Sequence, residues 1–152
     1  MRTPRLYADT SVFGGVFDEE FAGPSQRLTE DILAGRFDLV TSAIVASEIA
    51  GAPSRVRELF DELSRAANVV EVSHEAVSLQ TAYLDAAAVG ERWHEDALHV
   101  ALATVSDCDL LVSWNFRHIV SYGRIKVYNG VNTLMGYRSI AIHSPKEVVS
   151  DA

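Results

Sequence analysis

The sequence predicts an α/β fold built on a central, mostly parallel sheet. Three observations carry that prediction. Short apolar runs rich in Val and Leu recur along the chain, helical patterns separate them, and carboxylates or hydroxyls stand where several runs end. Runs that are apolar at nearly every position are what strands covered on both faces require.

Taken in order, Arg5-Leu6-Tyr7-Ala8-Asp9 reads as the first strand, ending at a carboxylate and then Thr10-Ser11. Gly14-Gly15 marks a loop or a tightly packed helix start. Pro24-Ser25 opens a helix through Leu28, Ile32 and Leu33, with Gly35 as its stop. Phe37-Asp38-Leu39-Val40-Thr41 is a second strand, after which Ser42 caps a short helix, Ala43 to Ile49, that carries Glu48. Beyond Gly51-Ala52-Pro53, the stretch Ser54 to Ala66 places Val56, Leu59, Phe60 and Leu63 on one helical face. Val69-Val70-Glu71-Val72 is a third strand, and Ser73 caps a helix expected to run to about Val89 and to stop at Gly90. Trp93 to Ser106 is a further helix, since Leu98, Ala101, Leu102 and Val105 repeat at helical spacing. Asp109-Leu110-Leu111-Val112-Ser113 is apolar enough to be a central strand. Ile125-Lys126-Val127-Tyr128 and Ser139-Ile140-Ala141-Ile142 read as strands, and Ser144-Pro145-Lys146-Glu147 opens a last helix with Pro at its first position. No repeat or linker interrupts the pattern, so one domain is expected over 1–152.

Composition excludes several classes. With 48% apolar and 22% charged residues the 152-residue chain has the make-up of a globular protein rather than a disordered one. No apolar run approaches the roughly 20 residues of a bilayer span, so no membrane role is expected. Basic residues open the chain without an apolar stretch behind them, so no secretory signal is expected; the single cysteine, Cys108, fits a reducing cytoplasm. The formal charge of −8 and the absence of a Lys/Arg run disfavour a protein that coats nucleic acid. An acidic chain acting on nucleic acid needs a small footprint, a local metal or a basic partner.

Ligands of open α/β sheets bind beyond the carboxyl ends of the strands. Asp9 ends the first strand, Trp114-Asn115 follows the fourth, and crossover helices carrying Glu48 and Asp96 can reach the same edge. Three carboxylates gathered there repel one another unless a cation is present or one is protonated. A hard divalent ion with oxygen ligands resolves the conflict, and Mg²⁺ keeps waters that can be activated for phosphodiester hydrolysis. Each acid also has a plainer role: Asp9 as a turn or capping residue, Glu48 as a solvated charge, Asp96 or Glu95 as a favourable charge in a first helical turn. Asp96 is preferred to Glu95 because it shares a face with His99, to which it is expected to hydrogen-bond. One Cys with scattered His residues does not supply a zinc site. Asn115 can orient a carboxylate or a water, or cap the turn after the fourth strand.

These stretches resemble the PIN-domain family, in particular the toxin-like branch typified by VapC. The resemblance rests on Tyr7-Ala8-Asp9-Thr10-Ser11-Val12-Phe13-Gly14-Gly15, on Ser42 through Ser47-Glu48-Ile49, on Asp96-Ala97-Leu98-His99-Val100-Ala101-Leu102-Ala103, and on Asp109 through Ser113-Trp114-Asn115-Phe116. Asn132 to Gly136-Tyr137 and Ser144 to Val148 look like one subgroup of it. The resemblance implies a Rossmann-like three-layer α/β/α sandwich and a ribonuclease dependent on Mg²⁺ or Mn²⁺. The family's three acidic positions fall on Asp9, Glu48 and Asp96, and its early hydroxyl falls on Ser11. Many members carry a fourth acid at a position matching Asn115 or His118, and neither is acidic here. The resemblance further implies an RNA substrate, an antitoxin partner inserting an Arg among the carboxylates, and a homodimer using the helices from Ala43 to Phe60. A catalytically weak module binding RNA or protein is the competing expectation. A phosphatase or small-molecule hydrolase lacks a nucleophile with a paired base and a Gly-rich phosphate loop.

Overall fold

In the computed structural model, which describes residues 2–149, five parallel strands form one sheet in the order β3-β2-β1-β4-β5. The strands are β1 (Arg5–Ala8), β2 (Asp38–Ser42), β3 (Asn68–Val70), β4 (Leu110–Val112) and β5 (Ala141–His143). The first two crossovers step one way along the sheet and the last two step the other way. With right-handed crossovers, their helices therefore cover opposite faces. One layer holds α1 (Thr10–Gly15), α2 (Ala22–Leu33), α3 (Ala43–Ile49), α4 (Ser54–Ser64) and α8 (Pro145–Val148); the other holds α5 (His74–Asp85), α6 (His94–Val105) and α7 (Tyr122–Leu134).

Burial on both sides explains the sequence of the central strands. Leu6, Tyr7 and Ala8 of β1, Val40 of β2, and Leu111 and Val112 of β4 are essentially solvent-free. Register fixes which residues meet beyond the strand ends. Tyr7 lies beside Val40 and Leu111, and Ala8 beside Val112, so Asp9 and Ser113 emerge next to each other. Side chains alternate along a strand, so Tyr7 and Asp9 share the face covered by α6, as do Val40 and Ser42.

Most elements match the sequence-based expectation to within two or three residues, including the all-helical 43–49 segment with Ser42 at its cap, where Ser42 Oγ accepts from Val45 N at 3.2 Å. Three expectations are overturned. Gly14-Gly15 is neither a loop nor a helix start but the last turn of α1. Ile125 to Tyr128 is not a strand but part of α7, whose buried Tyr128, Val131 and Asn132 follow helical spacing. α5 stops at Asp85 rather than near Val89, because Ala87 takes the left-handed conformation (φ 56°) and turns the chain away before Gly90. In the stretch expected as a dimer surface, Val45, Ile49, Val56 and Phe60 point into the core. Among the described residues no helix is long and apolar enough to cross a membrane.

Candidate active site

The strand order reverses between β1 and β4, and a reversal of this kind leaves a crevice at the carboxyl ends of the two strands. Asp9 lies there, 5% exposed. A carboxylate that has lost water needs replacement donors. Ser11 Oγ donates to its Oδ1 and Ser113 Oγ to its Oδ2, both at 2.6 Å. The same hydroxyls accept backbone N–H groups: Trp114 N to Ser11 Oγ at 2.9 Å and Asn115 N to Ser113 Oγ at 2.9 Å. Each serine thus spends its one proton on Asp9 and its lone pairs on the loop after β4. Burial pushes the Asp9 carboxyl above its ordinary pKa, against the pull of His99 and the two serines.

Glu48 reaches the crevice from α3. Its Oε1 accepts from Thr10 Oγ1 and pairs with His99 Nε2, each at 2.9 Å. Burial works against ionisation, but the His99 hydrogen bond and charge, with Thr10, hold the Glu48 carboxyl below its ordinary pKa. His99, 3% exposed on α6, bonds through Nδ1 to the Tyr7 hydroxyl at 2.8 Å, and that hydroxyl also meets Ser42 Oγ at 2.8 Å. Burial depresses the imidazole pKa, but Glu48, Asp9 and Asp96 outweigh it and the net shift is upward. With Glu48 ionised, Nε2 donates; a neutral ring then accepts at Nδ1 from Tyr7, while a protonated ring donates to it. The expected His99–Asp96 hydrogen bond is replaced by this Glu48–His99–Tyr7–Ser42 chain. Its cause is register: Tyr7 and Ser42 share the sheet face under α6.

Asp96, in the first turn of α6, turns instead to the loop after β4. His118 Nδ1 lies 3.2 Å from its Oδ2, and the nearby Asn115 side chain also favours its charged form. Burial raises its pKa, with His118 and His99 pulling the other way. Asn115 caps as well: its Oδ1 accepts His118 N at 3.0 Å. Of the two positions noted above as lacking an acid, Asn115 and His118, the second sets an imidazole against Asp96. The Trp93 ring stacks on His118 at 4.2 Å, and a cavity of ≈ 450 Å³ opens between Arg92, Trp93, His94, Glu95, Asp96, Asn115 and His118.

Asp9, Glu48, Asp96, Ser11 and Asn115 therefore gather at one edge, and His99 lies within electrostatic reach of all three acids. Among the described residues, no group of three or more His, Cys, Asp and Glu side chains is arranged so as to hold a metal ion. Each carboxylate has protein partners. Their chemistry nevertheless suits a hard cation. All three offer oxygen, Glu48 uses only Oε1 in its two bonds, and Asp9 and Asp96 carry burial costs that a cation would relieve. Sequence reasoning missed Ser113 and Tyr7, although both follow from register: Ser113 is the residue after β4 beside Asp9, and Tyr7 is two before it on the same face.

No family model and no curated protein matches the sequence. Solved structures do match the fold. A chain in the crystal structure of FitAcB from Neisseria gonorrhoeae aligns with a TM-score of 0.62 at 10% identity, over 94% of this chain and 99% of its own. VapBC2 from Rickettsia felis, bound to a DNA fragment from its promoter, gives 0.54 at 10% identity over 92% of this chain and 98% of the matched one. VapC20 from Mycobacterium tuberculosis, a toxin that cleaves the sarcin-ricin loop, gives 0.54 at 17% identity, over 70% of this chain and 86% of its own. At these identities the likeness establishes architecture, and the chain has the PIN-like α/β fold.

Proposed function

We propose that the protein is an endoribonuclease dependent on Mg²⁺ or Mn²⁺ and the toxin of a toxin–antitoxin pair. The observation that carries this reading is that Asp9, Glu48 and Asp96 all act on one buried imidazole, His99, near the carboxyl end of β1. These three side chains would hold the ion, which when bound neutralises the scissile phosphate and lowers the pKa of a water. Ser11 and Ser113 orient Asp9 and counter the burial that favours its protonation, His99 holds Glu48 ionised, and Asn115 stands with Asp96 on the neighbouring cavity. The fold shared with VapBC2 and FitAcB supports an antitoxin partner, whose Arg would pair with the carboxylates.

The decisive experiment is cleavage of single-stranded RNA by purified protein. Cleavage is expected in Mg²⁺ or Mn²⁺, not in EDTA, and is expected to stop with Asp96→Asn. Undiminished cleavage by that variant removes Asp96 from the reaction. One observation favours a second reading, a catalytically weak module that binds RNA or a protein: His118 and not an acid stands beside Asp96. Calorimetric titration with Mn²⁺ separates the two, since a binding-only module takes up no metal at the acids.

A further inference from the structure

We infer that a single RNA strand crosses the turn at residues 114–116, stacking a base on Phe116 on one side and presenting a phosphate to Arg92 and His94 on the other. The inference rests on the nuclease reading and adds the route by which substrate reaches the acids.

The turn is tight, with Phe116 N donating to Trp114 O at 3.0 Å, and it directs alternate residues to opposite sides. Asn115 lines the cavity that holds Arg92, Trp93, His94 and Asp96. Trp114 and Phe116 line a second cavity of ≈ 440 Å³ with Glu20, Phe21, Pro24 and Lys146. Trp114 is immobilised from three directions: its Nε1 donates to Ser25 Oγ at 2.8 Å, its ring stacks on Phe21 at 4.1 Å, and Gly15 leaves it the space that a Cβ would fill, 2.7 Å from Nε1. Phe116 stands edge-on to this fixed indole, centroids 6.0 Å apart, and remains 51% exposed. A rigid aromatic ledge with an open ring is what a base needs for stacking that tolerates any sequence.

Its place argues for RNA rather than a generic apolar partner. Trp114 N is bonded to Ser11, which is bonded to Asp9, and Asn115 lines one cavity with Asp96, so the ledge is built onto the carboxylate site itself. In a chain of net charge −8, Arg92 borders one cavity beside Glu95 and Asp96, and Lys146 borders the other beside Glu20. One long cationic side chain on each side of an aromatic step can meet the phosphates that flank a stacked base. Unpaired bases can be splayed onto such a step, whereas a duplex keeps them stacked inside.

Binding is tested by fluorescence anisotropy of a labelled single-stranded RNA of about ten nucleotides with the native protein in EDTA, so that cleavage does not intervene, across a series of salt concentrations. Phe116→Ala is expected to weaken binding about 5- to 100-fold with the salt slope unchanged, and Phe116→Tyr to restore it. Arg92→Gln is expected to weaken binding and to reduce the slope of log K against log salt by about 0.7, the loss of one phosphate contact. Unchanged binding by both Ala and Gln variants overturns the inference, as does equally tight binding of the corresponding duplex. A Phe116→Ala variant that loses a protein partner while keeping RNA also overturns it. Native protein that cleaves RNA in Mn²⁺ while these variants bind normally removes the route and leaves the nuclease; the two signatures without cleavage remove the nuclease and leave the route. Urea midpoints of the variants confirm that each is folded.

Discussion

At the scale of single residues, the candidate site is governed by who supplies protons to its carboxylates, of which Asp9 is buried and Glu48 exposed. Asp9 has two hydroxyl donors and, among the described residues, no cationic hydrogen-bond partner, and its carboxyl is pushed toward protonation by burial. Glu48 has the opposite fate because His99 donates to it and charges against it. Partners that orient a metal ligand typically account for 10- to 100-fold in affinity or activity. Ser113→Ala removes the donor on Asp9 Oδ2 at a fully buried position, with Asn115 N losing its acceptor as well. We expect Mn²⁺ affinity, measured by calorimetry, and RNA cleavage to fall together by about 10- to 100-fold. An unchanged Mn²⁺ affinity would show that Asp9 needs no second hydroxyl. Of this arrangement the sequence displayed the three acids, Ser11 and Asn115, because their types and positions at strand and helix ends are local facts. It did not display the pairing of His99 with Glu48 or of His118 with Asp96. Those depend on which side of the sheet each helix covers, and spacing along one chain segment carries no such information.

At the scale of elements, helix endings separate what was legible from what was not. α2, α5, α6 and α7 all finish with one hydrogen-bond pattern, in which two N–H groups after the cap return to the last turn. For α5 these are Ala87 N to Leu84 O and Ala88 N to Tyr83 O, both 3.0 Å; for α2 they are Gly35 N to Ile32 O at 3.0 Å and Arg36 N to Asp31 O at 2.9 Å. This Schellman geometry requires positive φ at the turning residue. Gly35 and Gly136 supply it, and Gly35 was readable as a stop; Ala87 (φ 56°) and Asp107 (φ 59°) reach it against their own preference. An alanine gives no stop signal in sequence, so the pattern of α5 reads on to Gly90. α7 misled for another reason: Ile125-Lys126-Val127-Tyr128 alternates like a strand, and Gly123 and Gly130 lower helix propensity. Packing overrides both, since Tyr128 meets Tyr83 edge-on at 4.9 Å and Asn132 accepts the Tyr83 hydroxyl at 2.5 Å. The strained alanine yields a prediction. Ala87 is exposed, so Ala87→Gly loses no packing and relieves the left-handed penalty, offset in part by the entropy of glycine. Unfolding in urea should show a gain of roughly 0.5–1 kcal/mol. A lowered midpoint would mean that the unfolded-state entropy outweighs the strain.

At the scale of the whole molecule, the fold was legible because an all-parallel sheet writes itself as apolar runs separated by helices, and the strand order then places the acids where the order reverses. The two ends of the sheet divide the work. The carboxyl end concentrates repelling acids, while the amino end is clasped by one well-satisfied acid, Asp109. Its Oδ2 accepts Arg5 N at 2.8 Å, its Oδ1 accepts Arg2 Nη2 at 2.6 Å, and Arg138 Nη2 lies 3.6 Å away. The clasp thus joins the starts of β1 and β4 to the segment entering β5. The Arg5 backbone bond, with Arg2 and Arg138, outweighs partial burial and holds this carboxyl below its ordinary pKa. A folded-state pKa below the unfolded one, about 3.9, means stability that is fully present above that value and lost as pH falls through the folded value. Native protein should therefore be more stable than Asp109→Asn near neutral pH, and the gap in urea midpoint should close as the pH is lowered from about 5 toward 3. Other acids, Glu147 included, titrate in both proteins and cancel in the difference. RNA cleavage by the variant should match the native rate at neutral pH, because Asp109 lies at the opposite end of the sheet from Asp9. A gap in midpoint that stays constant across the acid range would show that Asp109 contributes shape rather than charge to the clasp.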